Sequence, residues 1–183
     1  MRDISLHILD IAENSIRAGA GLISISVKAD DHRDELKVII EDNGCGMDSE
    51  MLGKVKSPFA TSRTTRNVGL GIPLFTASCE NAGGSLEIAS TPGIGTSLTA
   101  TYKYSHIDRP PMGDIAETIY SLTLLNPQID FVFFADKNGT FMYDTREIKS
   151  ALDGLPITHP DALKFLRLFL QEGIAQVLGG NEI

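Results

Sequence analysis

Apolar and small residues in the first twenty positions recur at helical spacing. Ile4, Ile8, Ile11, Ala12 and Ser15 share a face, Asp3 stands where an N-cap belongs, and Gly19 and Gly21 supply a stop. The period then shortens to two. Leu22 to Val27 and Leu36 to Ile40 are rich in β-branched residues and predict a hairpin around the charged turn 30–35. The breaker Asp42-Asn43-Gly44-Cys45-Gly46 ends the second strand, and a short polar helix is expected from Asp48 to about Val55. Residues 54–67 have no clear period; Lys54, Lys56, Arg63 and Arg66 among small hydroxyl residues predict a basic loop. A helix pattern returns from Gly69 to about Asn81, with Pro73 in its first turn, and Gly83-Gly84 ends it. Strands Leu86 to Ala89 and Ser97 to Tyr104 flank a turn over residues 91–95.

The run Asp108-Arg109-Pro110-Pro111 disfavours both helix and central strand and predicts a boundary, dividing the chain into units of residues 1–107 and 108–183. In the second unit, Asp114 to Leu125 has helical spacing, and Ile129 to Phe134 and Thr140 to Tyr143 predict a hairpin around Asn138-Gly139. A long amphipathic helix follows from Pro160 to about Leu178, after Thr158, for an order of α-β-β-α. Six of the eight phenylalanines fall in this unit, which makes a small aromatic core the first expectation for them. Exposed parts of that apolar surface would serve a protein partner or a homodimer.

Composition narrows the function classes. A net charge of −8 argues against a nucleic-acid surface, which needs basic patches to neutralise phosphates. No apolar run reaches membrane-spanning length and no signal-like segment opens the chain, so a cytoplasmic protein is expected. Two cysteines, Cys45 and Cys79, are too few for a disulfide framework and lack zinc-ligand spacing.

Several short motifs carry chemistry that fits together. Asp10 and Asn14 lie four apart, so a helix turns both to one ligand. The Asn14 amide oxygen suits Mg²⁺, which takes the rest of its shell from water and phosphate, and Asp10 could deprotonate a water or hydroxyl. Asp42 follows an apolar strand and can accept from an exocyclic amine such as adenine's, while Gly44 and Gly46 allow close approach of a flat ring. Gly69-Leu70-Gly71 opens a helix whose free N–H groups suit phosphate oxygens. Thr96 can add a hydroxyl. His7, one turn before Asp10, is expected to be structural, and Cys45 a filler between glycines.

Five segments together resemble the successive boxes of the GHKL ATPases, the superfamily of gyrase, the ninety-kilodalton heat-shock chaperone, histidine kinases and MutL. They are HILDIAENSIRAGA (7–20), EDNGCGM (41–47), PFATSR (58–63), VGLGI (68–72) and PGIGTS (92–97), in the family's order. The resemblance implies an α+β two-layer sandwich, a mixed sheet covered by helices on one face, over residues 1–107. It implies ATP and Mg²⁺ as ligands, with Asn14 binding the metal and Asp42 reading adenine. Gly44, Gly46, Met47, Gly69, Leu70, Gly71 and Thr96 would line the pocket. Segment 54–67 resembles the ATP lid, from which Arg63 and Arg66 would reach the outer phosphates. Asp10 stands where MutL and gyrase relatives carry glutamate, one methylene longer, which puts the efficiency of ATP hydrolysis in question.

Three functions follow from the resemblance. The first is an Mg-ATP-dependent protein kinase, anti-sigma or histidine-kinase-like, or a signalling regulator, acting on a separate protein. The second is a non-catalytic module that senses ATP and presents a surface to a partner, which the absence of a visible phosphoacceptor favours slightly. The third is a MutL-like ATPase that dimerises on ATP, which the shorter acid disfavours.

Overall fold

The computed structural model describes residues 3–56 and 70–179, and in them the two period-2 hairpins and the helices appear in the expected order. Helix α1 (Ile4–Arg17) starts where Asp3 Oδ1 accepts the Leu6 N–H at 3.0 Å, and buries Ile4, Ile8, Ile11 and Ala12. Its first two N–H groups, of Ile4 and Ser5, are satisfied by the carbonyls of Pro111 and Met112 at 3.0 and 2.8 Å. Strands β1 (Leu22–Asp30) and β2 (Glu35–Asp42) form the hairpin, each longer than its β-branched core. Asp30 Oδ1 caps their turn by accepting from His32 and Arg33 N–H. Helix α2 (Ser49–Lys56) follows, then α3 (Gly71–Asn81), β3 (Ser85–Thr91) and β4 (Gly95–Lys103).

The remaining elements are α4 (Ile115–Leu125), β5 (Asp130–Asp136), β6 (Thr140–Asp144), α5 (Thr145–Ala151) and α6 (Pro160–Leu178). The short α5 is absent from the sequence reading; Asp144 caps it through its bond to Arg146 N–H at 2.9 Å. His159, not Thr158, caps α6: its Nδ1 accepts the Asp161 N–H at 3.3 Å.

Among the described residues, the six strands belong to one mixed sheet in the order β3-β4-β2-β1-β5-β6. The β1–β5 pairing is parallel and the other pairings of these strands antiparallel; it aligns Ile23 with Phe131 and Ile25 with Phe133. One face is apolar from edge to edge: Ile23, Ile25 and Val27 on β1, Leu36, Val38 and Ile40 on β2, Leu98, Ala100 and Tyr102 on β4, Phe131 and Phe133 on β5. Against it pack α1, α3, α4 and α6, whose buried side chains belong to the same continuous core. Each large apolar side chain taken fully from water here contributes about 1.5–3 kcal/mol. The Tyr143 and Thr123 hydroxyls meet inside the core at 3.0 Å, whereas His7 Nδ1 and Ser26 Oγ are buried with no hydrogen-bond partner among the described residues. The Tyr104 ring ties distant segments at the surface, with the Arg109 guanidinium 4.9 Å and the Lys137 ammonium 5.2 Å from its centroid.

Candidate functional site

Beside the end of α1, where the last residue of β2 pairs with the start of β4, a cavity of about 380 Å³ opens between the sheet and helices α1, α2 and α3, within the size range of small-molecule sites. Its floor is apolar, made by Ile11, Ile40, Ile72, Ile88 and Leu98, and its polar groups are few: Asn14, Ser15, Arg17, Asp42 and Thr96. A flat apolar ligand with one hydrogen-bonding edge suits such a wall.

Asp42 is the last residue of β2, and its carboxylate is fixed before any ligand arrives. Ser15 donates its hydroxyl to Oδ2 at 2.6 Å and the Gly44 N–H donates to Oδ1 at 2.9 Å. Each oxygen keeps a lone pair for the cavity. Thr96 lies directly across from Asp42 in the β2–β4 ladder, so both side chains leave the same face of the sheet.

The loop after Asp42 is pinned on two sides. Cys45 N–H donates to the Ala18 carbonyl at 2.9 Å, and the Cys45 carbonyl accepts the Gly93 N–H at 2.8 Å. Gly46 has φ +66°, and a Cβ there would collide with the Thr91 carbonyl; Gly95, at φ +138°, runs equally close to the Asp42 carbonyl. These close approaches bring the loop and the β3–β4 turn together under Met47, whose N–H donates to Ser90 Oγ at 2.8 Å.

On α1, Asn14 faces the cavity and its Oδ1 accepts from Arg17 Nη1 at 3.0 Å. Asp10, one turn earlier, is not part of the cavity wall. Its Oδ2 lies 3.0 Å from where a Cβ on Gly71 would stand, so glycine at the start of α3 lets this carboxylate approach the helix end. Leu70 is 62% exposed beside it. Of the residues expected from the sequence, Asn14, Asp42, Gly46, Met47 and Thr96 line the cavity, the Gly44 N–H donates to Asp42, and Asp10, Leu70 and Gly71 are not in its wall, Asp10 lying against Gly71. Arg63, Arg66, Gly69 and most of the expected lid lie outside the described residues.

The structure adds residues that the sequence reading missed. Ser15 and Ser90 hold Asp42 and Met47, and Arg17 reaches Asn14 from the cavity rim. Asn43 is structural: its Oδ1 accepts the N–H groups of Gly21 and Leu22 at 2.8 and 2.9 Å, fixing the start of β1. His7 is buried and stacks on Phe75 with centroids 4.6 Å apart. Burial lowers its pKa to about 4 against the opposing pull of Asp10 and Asp3, so the ring is neutral at pH 7. Of the thiols, Cys45 is exposed at the cavity, whereas Cys79 is buried and pushed up to about 11 by desolvation.

Comparison with known proteins bears on the family and the fold. The sequence profile described as "Histidine kinase-, DNA gyrase B-, and HSP90-like ATPase" matches residues 2–106. The non-motile and phage-resistance protein of Caulobacter vibrioides is 32% identical over 117 residues, covering 59% of this chain and 14% of that protein. The signal transduction histidine-protein kinase AtoS of Escherichia coli is 32% identical over 93 residues, 50% of this chain and 15% of the kinase. Sporulation kinase D of Bacillus subtilis is 35% identical over 100 residues, 54% of this chain and 19% of the kinase. The matched region thus spans less than a fifth of each of these three proteins. Among solved structures, the Aquifex aeolicus MutL ATPase domain complexed with ADP aligns with TM-score 0.50 at 14% identity, covering 84% of this chain and 70% of that one. The N-terminal domain of a DNA repair protein aligns with TM-score 0.54 at 16% identity, covering 79% and 52%. At these identities the structural likeness concerns the fold.

Proposed function

Because the chain belongs to the histidine kinase-, DNA gyrase B- and HSP90-like ATPase family, we propose that the cavity beside α1 binds Mg-ATP and serves phosphoryl transfer or nucleotide-dependent signalling toward a separate protein. The observation that carries this reading is the Asp42 carboxylate, held by Ser15 and Gly44 at the edge of an apolar slot. A carboxylate so fixed accepts from the adenine amine, and the apolar floor takes the ring. The α3 N-terminus offers the Gly71 and Ile72 N–H groups and a positive dipole end to the phosphates, since Pro73 has no N–H and Leu74 N–H donates to the Leu70 carbonyl at 3.0 Å.

The donor set suits a magnesium ion. A neutral amide oxygen from Asn14, with a carboxylate one turn away, is the kind of sparse protein contribution that Mg²⁺ accepts when phosphates and water complete its shell. Bound there, the ion would neutralise phosphate charge. The Arg17 guanidinium, which donates to Asn14 Oδ1 and is paired with Glu13 at 2.7 Å, would yield that oxygen to the ion. Asp10 stands where it can take a proton from an attacking hydroxyl or water, and its approach to the first residue of α3 keeps it near the outer phosphates. The relatives named as kinases support a protein as the acceptor.

Calorimetry with Mg-ATP, followed by steady-state phosphate release from wild type and Asp10→Asn, tests the proposal. Binding in both proteins with turnover only in wild type is the expected result. Binding without turnover in either makes the protein an ATP-sensing module, and absence of binding by wild type refutes the reading.

A further inference from the structure

The sheet ends at β6, and nothing in that strand guards its edge. Among the described residues, the backbone of residues 140–143 bonds only to β5, and the strand holds no lysine or proline to deter pairing with another chain. Met142, on the sheet face away from the helices, is 57% exposed.

Helix α6 lies over this edge, against β5 and β6. One flank is taken by α4, where Arg167 bonds Glu117 at 2.8 Å and stacks on Tyr120. The opposite flank exposes Phe165, Leu168 and Phe169. Rings lead out to it from the core: Phe133, Phe141, Phe169 and Phe165 follow one another with centroids 6.4, 5.1 and 5.7 Å apart. Lys164 and Glu172, each four residues from Leu168, bracket the strip. Both are exposed, and neither has an ion-pair partner among the described residues.

An apolar strip between unlike charges is matched by its own copy turned through half a revolution. The register of helix on strand allows that turn. Helix α6 runs antiparallel to β6: the Val177 carbonyl accepts the Asn138 N–H at 3.3 Å, and a Cβ on Gly173 would overlap the Phe141 ring. At about 1.5 Å per helical residue and about 3.4 Å per strand residue, Met142 in the middle of β6 comes level with Leu168. One two-fold axis therefore passes both. About it β6 pairs antiparallel with its copy, Met142 faces Met142, and Lys164 of each α6 meets Glu172 of the other. Because α6 rests over β5 and β6, its two copies lie two strand spacings apart, roughly 10 Å, which is the distance at which helices pack. Asp161 stands a turn before Lys164 at the helix start, where the dipole favours a carboxylate.

We propose that this edge is the interface of a homodimer, in which β6 pairs with β6 of a second copy, doubling the six-stranded sheet, and the two α6 strips close over the junction. The cavity, walled by α1, β2 and β4, stays clear of the interface, so the proposal does not depend on what that cavity binds.

Sedimentation velocity of the full chain at tens of micromolar, with far-ultraviolet circular dichroism as the check on folding, compares wild type with Lys164→Glu, Glu172→Lys and the charge-swapped Lys164→Glu/Glu172→Lys. Wild type should be a dimer. Each single reversal sets two like-charged pairs across the axis and should weaken association about tenfold, and the swap should restore it to within about threefold. Met142→Lys should give a folded monomer, since two ammonium groups would face each other on the axis. A monomeric wild type overturns the proposal and leaves the edge to some other partner. A dimer indifferent to Met142→Lys or to the single reversals, or a reversal that the swap fails to rescue, overturns it equally.

Discussion

Replacing Asp42 by asparagine separates recognition from scaffolding, because the two carboxylate oxygens already have fixed partners. The Gly44 N–H must face an oxygen, so the new amide keeps Oδ1 there and turns its NH₂ toward Ser15. Ser15 can then accept from that NH₂ and send its own proton to the Ile11 carbonyl, which already lies 3.3 Å away. The fold exchanges a charge-assisted bond for a neutral one, a loss of about 1 kcal/mol. Nucleotide binding suffers more. The adenine amine would meet a donor instead of a carboxylate, forfeiting a hydrogen bond to a charged group worth about 1.5–3 kcal/mol, or roughly tenfold to hundredfold in Kd. Calorimetric titration with Mg-ATP, beside urea unfolding of the same preparations, reads both quantities. A folded Asp42→Asn protein that binds Mg-ATP within about twofold of wild type would refute the assignment of Asp42 to the base.

Gly46→Ala places a side chain at φ +66° against the Thr91 carbonyl, so the protein should lose about 2 kcal/mol or more and melt at least about 4 °C lower, measurable by calorimetry. Tyr143→Phe removes the buried bond to Thr123, whose hydroxyl keeps the Ile119 carbonyl at 3.0 Å; urea midpoints should report about 1 kcal/mol lost, with ATP affinity unchanged. His7, depressed to about 4 from 6.5, makes stability pH-dependent: between these values the unfolded chain binds the proton and the folded one does not. Stability should therefore fall as pH drops from about 6.5 toward 4, by at most about 1.4 kcal/mol per unit, and this component should vanish in His7→Phe; parallel curves for the two proteins would contradict it.

The elements legible from sequence were those whose signals are local. Helix α1 announced itself by its period and its Asp3 cap, and the β1–β2 hairpin by alternation around a charged turn. Asp42, Asn14 and Thr96 stood in short motifs whose chemistry is complementary, and the cavity brings them together. What escaped acts across sequence distance. Ser15 reaches Asp42 over 27 positions and Met47 reaches Ser90 over 43, and a lone serine in a helix or strand carries no trace of such a partner. The parallel pairing of β5 with β1 was equally silent, since no turn joins the two strands. The near-continuous apolar run Phe131 to Ala135 was the available hint, because an interior strand is apolar along its length. Helix α5 was missed because its seven residues are too few to establish a period.

The same sheet explains how a change in the C-terminal half can be felt at the cavity. Helix α1 carries Asp10 and Asn14, and its opening N–H groups are held by the Pro111 and Met112 carbonyls, just ahead of α4. Its buried face packs in one core with α4 and with β5. A displacement of α4 therefore acts on α1 through backbone bonds at one end and packed side chains along its length, with no flexible loop between. Asp10 and Asn14 are four residues apart on that element and move together, while Asp42 belongs to β2 and is tied to the same helix by the 2.6 Å bond from Ser15. If Asp42 reads the base and Asp10 and Asn14 face the phosphates, as proposed, shifting α1 by even about 1 Å would change the geometry between them, which catalysis tolerates poorly.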